Sequence, residues 1–180
     1  MAKILLGVTG GISAYKAADI IGALKRNHHT IRVIMTDRAK DFITPLTLAT
    51  LSKHPVYDDA GEWAPTGRID HIELSDWADI FLVAPATANT IAKMAHGIAD
   101  NLLTSSYLAF NYNRREKKLV YICPAMNTYM WYSPETQKNI EVLQEKVNHY
   151  IIEPVEGLLA CGSYGIGKLA PTAAIVGTLK

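Results

Sequence analysis

The chain is poor in cysteine, and the two it has, Cys123 and Cys161, fit neither a disulfide framework nor a zinc site needing four ligands. Reduced thiols and no metal site are therefore predicted. It also lacks net charge of either sign, because 18 Lys and Arg nearly balance 17 Asp and Glu. With no charge run at either end, nucleic acid and anionic membrane surfaces are not expected partners. No apolar run approaches the roughly 18 residues of a membrane helix, and no basic, apolar, cleavable leader precedes Lys3. A cytoplasmic protein is expected. Repeats, low-complexity segments and dividing linkers are missing too, so residues 1–180, 49% hydrophobic and 19% charged, are predicted to form one domain.

What is there is an alternation of short apolar runs with segments of helical period, the pattern of parallel strands joined by crossover helices in a three-layer α/β/α fold. Ile4 to Val8 reads as the first strand and Thr9-Gly10-Gly11 as a tight turn. Ala14, Ala17, Ala18, Ile21 and Leu24 then form the buried stripe of the first helix. Ile31 to Met35 is the second strand and Leu46 to Leu51 a short helix. Ala60 to Asp70 is aperiodic and reads as a loop. Ile80 to Ala84 is a third strand, Ala88 to Ala95 opens a helix, and Leu119 to Cys123 is a fourth strand. A helix around Ile140 to Val147 leads to a fifth strand, Tyr150 to Ile152. From Glu153 to Pro171 the glycine-rich chain reads as a long mobile loop of the functional kind.

In an open parallel sheet, ligands sit beyond the carboxyl ends of the strands. That rule selects Gly10 to Ser13, Thr36 to Arg38, Pro85 to Thr90 and Pro124 to Trp131 as one crevice. Gly10 and Gly11 permit close backbone approach, and Ser13 with the first helical amides suits a phosphate. The spacing is not G-x-G-x-x-G and no Walker-type lysine follows, so taken alone this segment reads more readily as an ordinary turn. Thr87 or Asn89 can simply cap the next helix. The string Pro124-Ala125-Met126-Asn127-Thr128-Tyr129-Met130-Trp131 is neither a simple turn nor a simple cap, and a ligand-facing role is favoured there.

These strings resemble the homo-oligomeric flavin-containing cysteine decarboxylases, and most closely their branch acting on 4'-phosphopantothenoyl-L-cysteine. The likeness spans nearly the whole chain. It rests on Val8-Thr9-Gly10-Gly11-Ile12-Ser13-Ala14-Tyr15-Lys16, His71, Pro-Ala-Thr-Ala-Asn-Thr, Pro-Ala-Met-Asn-x-x-Met-Trp and Ala160-Cys161-Gly162-Ser163-Tyr164-Gly165-Ile166-Gly167. The resemblance implies a Rossmann-like flavoprotein sheet with FMN held by Gly10, Gly11, Ile12, Ser13, Thr36, Asp37, Arg38, Thr87, Ala88, Asn89, Thr90 and Ala125. It implies His71 as the catalytic histidine and Asn127 holding the substrate carboxylate. Met130, Ala160, Cys161 and Gly162 would contact substrate, with Cys161 in a clamp as late proton donor. It further implies a homotrimer, with assembly to a dodecamer, whose FMN and substrate sit where subunits meet. Ending at Lys180 implies a stand-alone form without a fused synthetase. Two positions depart from the family pattern: Thr87 replaces a common Ser, and Ser163-Tyr164 stands where an acidic residue is usual after Cys-Gly.

The implied chemistry accounts for these parts. Losing CO2 from a saturated carbon leaves an electron pair with nowhere to spread, whereas a neighbouring C=S group, made by two-electron oxidation of the CH2-SH unit, accepts it. FMN supplies the redox step. A histidine suits the proton transfers, and a neutral amide at Asn127 orients the carboxylate without clamping its charge. Cys161 then protonates the enethiol on the way to the saturated thiol. Among five other histidines, His28, His29, His54, His96 and His149, only His71 matches the family. Cys161 in its glycine-rich loop is more accessible than Cys123 in a strand. The rival readings are a peptidyl-cysteine decarboxylase, a non-catalytic flavin-binding phosphatase regulator and a flavin prenyltransferase. The regulators carry acidic extensions that this chain lacks, and the prenyltransferases lack the Pro-Ala-Met-Asn and Cys161 elements.

Overall fold

Lys3–Val8 (β1), Thr30–Met35 (β2), Ile80–Ala86 (β4) and Leu119–Pro124 (β5) are apolar along nearly their whole length. Such strands can be stable only with both faces covered. In the computed structural model, which describes residues 1–62, 69–112 and 118–179, they are joined by Val56–Tyr57 (β3) and His149–Ile151 (β6). All pairings are parallel, in the order β3-β2-β1-β4-β5-β6. Every residue of β4 is buried. Each large aliphatic side chain so buried contributes about 1.5–3 kcal/mol relative to exposure.

One face is covered by Ala17–Arg26 (α1), Pro45–Ser52 (α2) and Thr172–Thr178 (α9), whose Ile20, Ile21, Leu24, Leu48 and Ile175 meet Ile4, Leu6, Val33 and Leu82 of the sheet. The other is covered by Asp70–Trp77 (α4), Ala88–His96 (α5), Leu102–Tyr112 (α6) and Pro134–Gln144 (α8). There Leu74, Ile91, Met94, Leu103, Tyr107, Phe110 and Leu143 pack on Leu5, Phe81, Val83 and Ile122. This is the expected three-layer α/β/α arrangement. Its strand order reverses between β1 and β4, which opens a crevice at their carboxyl ends.

Several local expectations are revised. The first helix starts as a 3-10 turn, Ile12–Lys16; Ile20 takes a place in the buried stripe, while Ala18 is only half-buried. Asp59–Glu62 (α3) and the first residue of α4 occupy the two ends of the supposed loop from Ala60 to Asp70; its centre, 63–68, lies outside the described residues. The supposed loop from Glu153 to Pro171 is largely an antiparallel hairpin of Val155–Leu158 (β7) and Tyr164–Lys168 (β8). Two of its glycines are packing requirements: a Cβ on Gly165 would lie 2.6 Å from Thr128 Oγ1, and one on Gly167, at φ +146°, would lie 2.1 Å from the Met126 carbonyl oxygen. Only glycine lets β8 approach this closely. Short Thr128–Trp131 (α7) completes the elements, at the exit of β5.

Candidate active site

Thr9, at the end of β1, is buried and ties the two sides of the crevice together. Its hydroxyl donates to the Pro85 carbonyl at 2.8 Å and accepts from the Thr87 amide at 3.0 Å. Thr87 in turn caps α5, its Oγ1 accepting from the Thr90 amide at 3.3 Å. The capping role allowed for Thr87 is therefore real, and Thr87 faces the crevice as well.

The crevice consists of two adjoining cavities that share Gly10, Thr87, Ala88 and Met130. The first, about 310 Å³, brings together Gly11, Ile12, Ser13, Ala125, Asn127, Ala160 and Cys161. The second, about 480 Å³, brings together Thr36, Asp37, Arg38, Asn89 and Thr90. Both volumes fall within the range of small-molecule sites. Gly162 lines neither cavity; it sits at φ +86° with open space around its missing Cβ. Sequence reasoning did not single out Leu159 and Lys168 in the first cavity, or Asp59, Lys93, Asp100 and Asn101 in the second. Lys93 and Asp100 form an ion pair at 2.6 Å. Only the fold reveals these residues, since they come from a hairpin and from helix ends with no local signature.

Gly10 has a reason different from ligand approach. A Cβ there would lie 2.3 Å from Arg38 Cβ, so glycine is what lets the turn after β1 meet the 3-10 turn Asp37–Asp41 after β2. Gly11 is unconstrained by comparison, its nearest neighbour being Thr87 Cγ2 at 3.8 Å. It precedes the turn Ile12–Lys16 without supplying a side-chain cap, so the first amides of that turn keep their donors available for an anion. In the second cavity Thr36 Oγ1 is buried with no hydrogen-bond partner. A buried hydroxyl left unpaired costs about 1–3 kcal/mol, a deficit that a polar ligand atom removes. Ile12, Pro85, Ala88, Met126 and Met130 give the first cavity an apolar wall. Free amides, an orphan hydroxyl and an apolar slot suit a phosphorylated ligand with a flat heterocycle.

At the rim stands a three-residue cluster. Asn127 caps α7, its Oδ1 accepting from the Tyr129 amide at 2.8 Å. Oδ1 being committed, Nδ2 points outward and donates to Cys161 Sγ at 3.3 Å. Ser163 Oγ lies 3.0 Å from the same sulfur. The Ser163 hydroxyl and amide, with the Asn127 amide adding to them, hold the exposed Cys161 thiol below its ordinary range. Burial does the opposite to Cys123, pushing that thiol far up. Ser163 thus contacts the sulfur directly.

His71 is in the first turn of α4, half-buried. It is not among the residues lining either cavity of its own chain. Because α4 leads into β4 and so runs antiparallel to it, this first turn lies toward the crevice edge of the sheet. Among the described residues no group of His, Cys, Asp and Glu could hold a metal ion, and no helix is long and apolar enough to cross a membrane.

Comparison with known proteins agrees with this geometry. The chain is 46% identical over 174 residues to a probable phosphopantothenoylcysteine decarboxylase of Streptococcus mutans, covering 97% of this chain and 94% of that one. It is 44% identical to the coenzyme A biosynthesis bifunctional protein CoaBC of Bacillus subtilis, again over 97% of this chain but only 41% of that longer protein. Among solved structures it superposes on a cysteine-to-serine variant of PPC decarboxylase complexed with pantothenoylaminoethenethiol, with a TM-score of 0.88 at 33% identity, covering 98% of this chain and 94% of the other. The FMN binding protein AtHal3 gives 0.84 at 34% identity, with coverage of 98% and 94%. The model of the Flavoprotein family matches residues 1–180, and the chain belongs to that family.

Proposed function

We propose that this chain is an FMN-dependent decarboxylase converting 4'-phosphopantothenoyl-L-cysteine to 4'-phosphopantetheine and CO2 in coenzyme A biosynthesis. The observation that carries this reading is the Asn127–Cys161 contact, an oriented amide and an exposed thiol facing each other across the mouth of a flavin-sized crevice. The close relative from Streptococcus mutans bears the name of this activity.

FMN fits the residues present. Gly11, Ser13 and the free amides of the turn Ile12–Lys16 would hold its phosphate, Thr36 to Arg38 and Thr87 to Thr90 its polar atoms, and Ala125 with Met126 its ring. When bound, the flavin supplies a reversible two-electron couple beside the substrate sulfur. Asn127 orients the substrate carboxylate by donation from Nδ2, the only end of its amide left available. Being neutral, it holds the ground-state carboxylate without the strong stabilisation a cation would give, which would raise the barrier to CO2 loss. Cys161 gives its proton to the enethiol carbon, and its hydrogen-bond donors receive the sulfur's developing charge. Met130, Ala160 and Gly162 would complete the contacts to substrate.

His71 serves proton transfer at the thiol in this reading, and reaches the crevice of a neighbouring copy. A homotrimer, assembling further to a dodecamer, supplies that neighbour, and a cytoplasmic location accompanies the activity. The exposed Ile12, Tyr15, Ile72 and Tyr129 near this edge give subunits an apolar surface to share.

The test is incubation of the FMN-loaded protein with 4'-phosphopantothenoyl-L-cysteine and mass analysis of the product. Loss of the mass of CO2 is expected. Loss of CO2 together with two hydrogens from a cysteine-ended peptide, with no action on phosphopantothenoylcysteine, would identify a peptidyl-cysteine decarboxylase instead.

A further inference from the structure

We propose that Ser163 is a positioning residue for Cys161. Its hydroxyl, together with the Asn127 amide, aims the sulfur into the crevice and receives the charge left when Cys161 gives up its proton. The inference rests on the reading of Cys161 as the late proton donor.

The hairpin tip is built to bring these two side chains together. The Leu159 amide donates to the Ser163 carbonyl at 2.8 Å, and the Gly162 amide donates to the Leu159 carbonyl at 2.9 Å. Gly162 makes the left-handed bend at φ +86° that a side chain would resist. The resulting tight loop returns Ser163 beside Cys161, Oγ 3.0 Å from Sγ, while Asn127 reaches the same sulfur from α7 at 3.3 Å. Two independent elements therefore converge on one exposed atom.

The groups contacting the sulfur are all neutral. The charged side chains of the hairpin are Glu156 on β7 and Lys168 on β8, of which Lys168 lines the same cavity, and α7 has no charged residue. A carboxylate in place of Ser163 would oppose formation of a thiolate next to it, whereas a hydroxyl donates to one. The side chain at position 163 therefore decides the sign of the local influence on the donor. In the step itself the Cys161 S–H bond breaks and its proton forms the new C–H bond of the product. The bonding pair stays on sulfur, where Ser163 O–H and Asn127 N–H meet it. The second new C–H bond takes a hydride equivalent, the hydrogen and two electrons withdrawn from the CH2-SH unit earlier in the same turnover, and solvent returns a proton to the Cys161 sulfur.

The experiment measures the rate of iodoacetamide alkylation of the FMN-loaded full chain against pH. Cys123 is fully buried, so labelling reports Cys161, and Cys161→Ser provides the blank. Ser163→Ala should move the alkylation midpoint to higher pH and slow labelling several-fold at neutral pH; Ser163→Asp should move it further, and Ser163→Thr should stay near the parent. In turnover, Ser163→Ala should release a larger share of the oxidised enethiol product. Midpoints in Ser163→Ala and Ser163→Asp equal to the parent's would overturn the proposal. The alkylation assay contains no substrate, so a shifted midpoint in a parent enzyme that does not decarboxylate phosphopantothenoylcysteine would sink the functional reading while leaving the positioning of the thiol intact.

Discussion

Replacing Thr9 by Val tests whether the crevice is held shut at its base by one hydroxyl. The two side chains have nearly the same shape, so the change removes only Oγ1, leaving the buried Pro85 carbonyl and the half-buried Thr87 amide without that partner. Each buried group so stranded costs about 1–3 kcal/mol, and the added methyl returns roughly 0.8 kcal/mol of burial. A net loss of about 1–5 kcal/mol follows. Because the freed segment carries Thr87, Ala88 and Asn89, FMN affinity should also fall, by about tenfold if ~1.4 kcal/mol of the loss appears in binding. Urea unfolding followed by circular dichroism, at fixed protein and FMN concentration, measures the first quantity; quenching of FMN fluorescence measures the second. Thr9→Ser keeps the hydroxyl and should cost only about 1 kcal/mol, for the lost methyl. Equal stability and equal FMN affinity in Thr9→Val and the parent would refute the reasoning.

Three further outcomes are expected. His71→Asn should retain the visible flavin spectrum yet release no CO2, and normal turnover in that variant would remove His71 from the mechanism. Cys161→Ser should decarboxylate but stall at the oxidised product; ordinary phosphopantetheine in its product mixture would contradict the donor role. His149, buried and within 3.0 Å of the Tyr107 hydroxyl with Lys146 nearby, is held below its ordinary value of 6.5, chiefly by desolvation. A histidine lowered on folding contributes stability that is present above its unfolded value and is lost as pH falls through its folded one. Urea midpoints of the parent should therefore decline as pH is lowered below about 6.5, and His149→Gln should flatten part of that slope.

The parts of the fold that could be read from sequence are those whose burial is uniform. The runs Ile4–Val8, Ile80–Ala84 and Leu119–Cys123 are apolar because both faces of their strands are covered, and the structure places each within a residue or two. Helix α6 escaped because it is enclosed on several sides: Leu102, Leu103, Ser106, Tyr107 and Phe110 are all buried, which erases the 3.6-residue stripe. Helix α4 escaped for the opposite reason, since Asp70, Glu73 and Asp76 leave it little apolar period. The hairpin β7-β8 was hidden because Gly165 and Gly167, which read as loop, are demanded by contact with Thr128 and Met126.

The candidate site divides along the same line. Strings that leave a strand, such as Gly10 to Ser13 and Thr87 to Thr90, follow directly from where a parallel sheet places ligands. Contributions arriving from elsewhere, Lys168 from β8 and Asn101 from the start of α6, depend on tertiary approach and carry no local pattern. The partnership of Ser163 with Cys161 is intermediate: the residues were in view, and their contact was not.

The most direct test of the central claim is the visible absorbance of the purified chain across a gel-filtration peak, after incubation with FMN and removal of excess. A flavin spectrum should travel with the protein, equimolar with the chain, and change on addition of 4'-phosphopantothenoyl-L-cysteine without oxygen. A colourless, correctly folded peak that takes up no FMN would contradict it.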